Sequence, residues 1–217
     1  MAGMIVGVLR WIDNSALVRR VRDVGQLYFN IVRYGPDAPR PNERVWVVPS
    51  DVTFTLDGVR VRSGRVISRW PFVAPLAFEE HPHVKFALAH WRDGIPWEET
   101  GAYSYMLEQI RRRGRQDGCH SIVDVERRYQ RLDELFETVL HEGRLRTRSE
   151  LDSTARGEDG GILIHIGPHG ATAIGDSGKH RMTIAKLLRL SLVPARLGFV
   201  HRDALRLLPR FRDPPSA

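Results

Sequence analysis

One cysteine, Cys119, is all that 217 residues contain. No disulfide can therefore form within the chain, and a reducing, cytoplasmic setting is expected. Long apolar runs are missing too. No stretch approaches the ~20 residues needed to span a bilayer, and the opening apolar run 4–9 is too short for a secretory signal and lacks a cleavage-like site. Lysine is scarce, with only Lys85, Lys179 and Lys186 against a large excess of arginine. The formal net charge of +7 favours anionic partners such as nucleotides, nucleic acid or an acidic membrane surface. It selects none of them, because arginine richness is also what a GC-rich genome produces. The length is enough to bury one core, with or without a helical subdomain.

The elements follow from periodicity. Residues 15–34 read as an amphipathic helix, with Leu17, Val18, Val21, Val24, Leu27, Tyr28 and Ile31 at helical spacing and Arg19, Arg20, Arg22 and Arg33 on the other face. Such a basic helix can lie on a membrane, but the stripe is expected to pack on the domain. The Pro-rich connector 35–41 ends it. Residues 44–54 read as a strand, a Pro-Ser break and a short second element, with weaker strands at 59–61 and 65–67. Helices are expected over 83–92, from Trp97 through Ile110 with Glu98 and Glu99 in the first turn, and from Ser121 to a stop at Gly143. A basic loop, 111–118, joins the last two. A Gly-rich linker covers 154–161. Strands are then expected at 162–166, 171–175 and 193–201, and a frayed tail from 207.

Chemistry is most legible at 171–188. An apolar strand ends at Gly175-Asp176, a Ser177-Gly178 turn follows, and a helix opens on Lys179-His180-Arg181. A helix N-terminus has unpaired N–H groups and the positive end of the macrodipole, so it attracts anions. Small residues at Ser177 and Gly178 are expected to let a phosphate approach, with Lys179, His180 and Arg181 supplying donors. The bland alternative is an ordinary strand–turn–helix connection.

This C-terminal unit resembles the ParB/sulfiredoxin fold on Asp176-Ser-Gly-Lys-His-Arg181, Ala185-Lys-Leu-Leu188 and Val193-Pro194, with Val45-Trp-Val-Val-Pro-Ser-Asp-Val52 in the slot of the fold's first strand. The whole chain also looks like uncharacterised ParB-like proteins of archaea and bacteria. The matches are Tyr34 to Pro39, Gly94 to Thr100, Arg128 to Asp133 and Gly178 to Arg181, in that order. The resemblance implies an α+β fold: a small mixed sheet with helices, carrying a large helical insertion. The corresponding division is an N-terminal helix and connector (1–42), a first part of the ParB-like domain (43–78), the insertion (79–153), the rest of that domain (154–202) and a tail (203–217). Matching turns in this fold bind nucleotide phosphates. Lys179 stands where sulfiredoxins carry their cysteine, which excludes that chemistry. No room remains after residue 202 for the DNA reader of a partition protein. Asp176 and His180 are more like the free serine kinases of this fold.

Three functions are carried forward. The first is an ATP- or other nucleotide-dependent, kinase-like phosphotransferase acting on a small hydroxylated substrate. There, Ser177, Gly178, Lys179, His180 and Arg181 bind the phosphates, Asp176 orients a hydroxyl or holds Mg²⁺, and Glu99 (or Glu98) is the base, unless it is only a solvated first-turn carboxylate. The second is a DNA-associated nuclease or nucleotide-gated clamp using the arginines of 111–115 with Arg144, Arg146 and Arg148, whose plainer reading is a solvated charged surface. The third is a non-catalytic nucleotide sensor. A homodimer is compatible with all three. His81 and His83 lack partners at a metal-ligand spacing, so no metal site is expected. His165, His169, Cys119, Trp91 and Trp97 read as structural.

Overall fold

The sheet is organised by its longest strand. The computed structural model describes residues 16–59, 62–70 and 75–213; the run 4–9, most of the strand expected at 59–61 and the tail's Pro214-Pro215 lie outside them. Helix α1 (Ala16–Tyr34) precedes the short strands β1 (Arg44–Val47), β2 (Phe54–Thr55), β3 (Arg65–Ile67) and β4 (Leu76–Ala77). Four helices follow: α2 (Pro82–Trp91), α3 (Ala102–Arg113), α4 (Ile122–Glu142) and the single turn α5 (Arg148–Leu151). The chain then returns to the sheet with β5 (Ile162–Ile166), β6 (Thr172–Ile174), α6 (Lys179–Leu187), β7 (Val193–His201) and a last turn, α7 (Pro209–Arg212).

These strands make one mixed sheet in the order β1-β7-β5-β6-β2-β4, with β3 also on β7. The nine residues of β7 pair antiparallel with β1 along their first half, parallel with β3 along their second, and parallel with β5 on the other side. Eight of the nine are buried, as expected of a strand covered on both faces. The architecture is therefore α+β with an open seven-strand mixed sheet and a block of helices inserted between β4 and β5.

A bulge between β5 and β7 explains one histidine. Pairing shifts between Ile164 opposite Leu197 and Ile166 opposite Val200, which frees the Phe199 N–H from the ladder. The Nδ1 of His165 accepts it at 3.2 Å, and the imidazole stacks on the Phe199 ring with centroids 4.0 Å apart. A Cβ on Gly198 would stand 2.1 Å from that Nδ1, so residue 198 has to be bare. Burial, then the charges of Arg196 and Lys179, lowers His165 to about 4 and keeps its acceptor nitrogen unprotonated.

The helical block holds a second apolar cluster around Trp97, Met106, Val125 and Tyr129. Helix α4 begins and ends where its sequence signals say. Ser121 and Asp124 form a reciprocal capping box, and Gly143 closes the last turn in the left-handed region. The Gly94 to Thr100 and Arg128 to Asp133 stretches meet here. Asp133 accepts from the indole Nε1 of Trp91 at 2.9 Å and of Trp97 at 3.0 Å, and lies 3.2 Å from His90 Nε2. Asp133→Ala would leave two indole donors unpaired, one of them on a buried ring. It is expected to lower unfolding stability by about 2 kcal/mol in denaturant titration, with Asp133→Asn costing less.

Several expectations are corrected. The second helix of the block starts at Ala102, leaving Glu98 and Glu99 in the preceding turn, and Arg111, Arg112 and Arg113 end that helix rather than lie in a loop. Three residues, Thr172–Ile174, form the strand expected at 171–175. The linker at 154–161 carries Glu158, buried because it accepts from Arg44 at 2.8 Å and from the backbone N–H of Arg148. The described part of the tail is docked, not frayed: Leu208 is fully buried, and Arg212 pairs with Glu43 at 2.6 Å. The largest reversal concerns α1, whose apolar stripe faces solvent. Asn30, Gln26 and Asp23 face the body instead.

Candidate functional site

The turn between β6 and α6 opens onto a cleft of about 1030 Å³. It lies between the end of β2, the start of α6 and the inward faces of α2, α3 and α4. Helix α6 is buried on both sides, against the sheet and against the helical block, which fixes where its N-terminus points. The turn is zipped to β5 by Gly175 N–H to Leu163 O (2.8 Å) and Leu163 N–H to Ser177 O (3.1 Å). Gly178 caps the helix at φ +93 with no side-chain cap. The first N–H groups of α6 therefore lack both an intrahelical acceptor and a capping side chain.

The residues singled out in the sequence take separate roles. Ser177 turns its hydroxyl to Gly161 O at 3.0 Å. The bare face of Gly178 meets β5, since a Cβ there would sit 2.5 Å from Ile162 Cα. Close approach at this glycine is thus between two backbones of the same chain. Lys179 is buried, its ammonium donating to Asp57 Oδ1 at 2.6 Å and to Gly175 O at 2.8 Å. His180 is buried between Trp91, Tyr129 and His83, and its Nε2 has no hydrogen-bond partner among the described residues. Arg181 lines the cleft and donates to Gly160 O at 3.0 Å. Asp176 is exposed at the mouth, where it accepts from Gly58 N–H at 2.7 Å. Glu99 is exposed in the turn before α3 and does not line the cleft.

Residues far off in sequence complete the site. Asp57, just after β2, also accepts from His81, whose Nε2 lies 3.1 Å from Oδ2. The other nitrogen of His81 caps α2 by accepting His83 N–H at 3.2 Å, so the proton sits on Nε2. Burial pushes Asp57 up, but the hydrogen bonds from His81 and Lys179 outweigh it and hold its carboxyl below the ordinary value. On the facing wall, Arg128 donates to Asp117 at 2.9 Å, while Arg113 at the end of α3 is exposed. Arg128 and Tyr129 lie within the stretch at 128–133 that the sequence had marked; Asp57 and Asp117 carried no local signal.

Positive charge is in excess inside this cleft. Burial, then the charges of His83, Arg128, His81 and Lys179, drives His180 well below its ordinary value. Burial also takes His83 down to about 4, with Asp117 opposing the shift. The Arg181 guanidinium is lowered by burial and then by neighbouring Arg148. Burial, which disfavours charge of either sign, leads each of these shifts, and neighbouring cations add to it at His180 and Arg181. Among the described residues, no three His, Cys, Asp or Glu side chains group to hold a metal ion. Likewise, no helix is long and apolar enough to cross a membrane. No family model, curated protein or solved structure matches the chain.

Proposed function

We propose that this cleft binds the phosphates of a nucleotide, in a ParB/sulfiredoxin-like fold, and that the protein transfers a phosphoryl group from it to a small hydroxylated substrate. The observation that carries the reading is the uncapped N-terminus of α6, which opens on a cleft where Arg113, Arg128 and Arg181 gather. Backbone N–H groups and guanidinium forks match phosphate oxygens in geometry and sign. Lys179 acts here as a strut, holding α6 against Asp57, and Arg181 and the backbone face the ligand. His180 stays neutral and positions the start of the helix against the insertion.

Asp176 is the carboxylate at the mouth that no cation neutralises among the described residues. It suits a Mg²⁺ ion that arrives on the nucleotide, since Mg²⁺ is commonly held by one or two carboxylates plus phosphates. The same carboxylate can orient an acceptor hydroxyl. Glu99 is not assigned a role, because it stands outside the cleft. The nucleic-acid reading has less support. Arg111 and Arg112 both engage Glu108, Arg146 pairs with Glu142, and Arg144 pairs with Glu150 at 2.7 Å.

The test is a thermal-shift and calorimetric panel of ATP, CTP and GTP with Mg²⁺. A ligand at 100 times its Kd stabilises the fold by about 2.7 kcal/mol, a readily measured rise in Tm. Arg113→Ser and Arg181→Gln are each expected to weaken binding about tenfold. Asp176→Asn is expected to stop ATP consumption while retaining nucleotide. No shift with any nucleotide, or binding untouched by both arginine variants, overturns the proposal.

A further inference from the structure

Helix α1 is attached to the protein by the wrong face for a soluble domain. Asn30, completely buried, donates through Nδ2 to Pro39 O and Gly64 O, both at 2.7 Å. Gln26 supports Asn30 at 2.8 Å, and Asp23 pairs with Arg156. The opposite face carries Leu17, Val21, Val24, Tyr28 and Val32, each 65–72% exposed. A surface helix ordinarily turns its apolar stripe to the core. Here polar hydrogen bonds clamp the helix and hold about 23 Å of apolar ridge outward.

At Val24 the ridge borders a cationic crevice of about 390 Å³ that Arg20 and Arg40 line. On the helix itself, four arginines stand against the single acid Asp23, which is already paired. We propose that α1 seats the protein on an anionic lipid surface, with the apolar ridge entering the headgroup boundary and the flanking arginines meeting lipid phosphates.

Charge favours this occupant over a second copy of the chain. The net charge of +7 sets two copies of the chain against each other and draws each to an anionic surface. An anionic bilayer meets both features at once, because binding of such helices grows with buried apolar area and with attraction to acidic headgroups.

Co-sedimentation of the full chain with vesicles decides the matter. Binding is expected to equal parts phosphatidylglycerol and phosphatidylcholine, with little to phosphatidylcholine alone, and is expected to fall as salt rises. Val21→Asp combined with Tyr28→Asp is expected to lower partitioning about tenfold or more at unchanged melting temperature. Arg20→Ser combined with Arg40→Ser, which leaves the ridge intact, is expected to lower binding to the anionic vesicles only. Absence of vesicle binding at low salt overturns the proposal, as does binding that the aspartates leave unchanged. A solution dimer that the aspartates split into monomers also overturns it, and assigns the ridge to a second copy.

Discussion

Gly178→Ala is expected to cost about 4 kcal/mol or more of unfolding stability and to disorder the start of α6. Two independent penalties add at this position. The backbone stands at φ +93, where an L side chain is strained by about 1–3 kcal/mol. The new methyl would also sit 2.5 Å from Ile162 Cα and 2.9 Å from its Cβ. Those atoms belong to β5, which is hydrogen-bonded on both sides, so the helix must move instead. Overpacking of that kind costs about 1–3 kcal/mol more. Gly143→Ala is the control, because its φ is +67 but nothing lies within 4 Å of the added carbon. It is expected to lose only about 1 kcal/mol. Urea titrations of both variants measure the difference; equal losses would show that the contact with Ile162 is without consequence. If Gly178→Ala folds at all, displacement of α6 is also expected to weaken nucleotide binding, since the N–H groups ride on the helix.

Acidification is the second large effect. His165 and His83 both titrate near about 4 in the fold, against about 6.5 in an unfolded chain. Between these values the unfolded chain binds more protons than the native one, so stability rises with pH across that window. It is complete above about pH 6.5 and is lost progressively as the pH falls towards 4. For His165 alone the loss approaches about 3 kcal/mol, and it has a structural cause. Protonated Nδ1 can no longer accept from Phe199, and a charge would be enclosed between the bare Gly175 and Gly198. Denaturant melts at pH 7, 6, 5 and 4.5 measure the slope. His165→Asn keeps an acceptor near the bulge and removes the titration. It is expected to start less stable and to decline less steeply. An acid limb as steep as that of the native protein would mean that other groups cause it.

What the sequence disclosed depends on how local the cause is. The ends of α4 were legible because Ser121, Asp124 and Gly143 act within one turn of the helix. The strand–turn–helix at 172–187 was legible for the same reason. The rest of the cleft was not, because it is assembled by contacts with no periodic trace. Asp57 reaches Lys179 across 122 residues, and Asp176 reaches Gly58 across 118. Glu99 was read as helical from an apparent first turn, but the helix waits until Ala102, where Gly101 supplies the left-handed entry. The stripe on α1 was correctly read as amphipathic and wrongly aimed. Periodicity reveals that a helix has two faces, and only the acceptors Pro39 O and Gly64 O decide which one is held. Gly178 was read as small to admit a phosphate, whereas the atom that crowds it is Ile162 Cα, which nothing in the turn makes visible.

The pairing of β7 imposes an order on biosynthesis. Among the described residues, strands β1 and β3 have no hydrogen-bonded neighbour except β7, and β5 relies on it along one edge. A nascent chain that has not reached residue 193 therefore carries a keyless arch, with the helical insertion already complete and β1 and β3 still without a partner. Such distant closure is slow compared with helix formation. During that interval, the edges of β1 and β5 that β7 will cover stay unpaired.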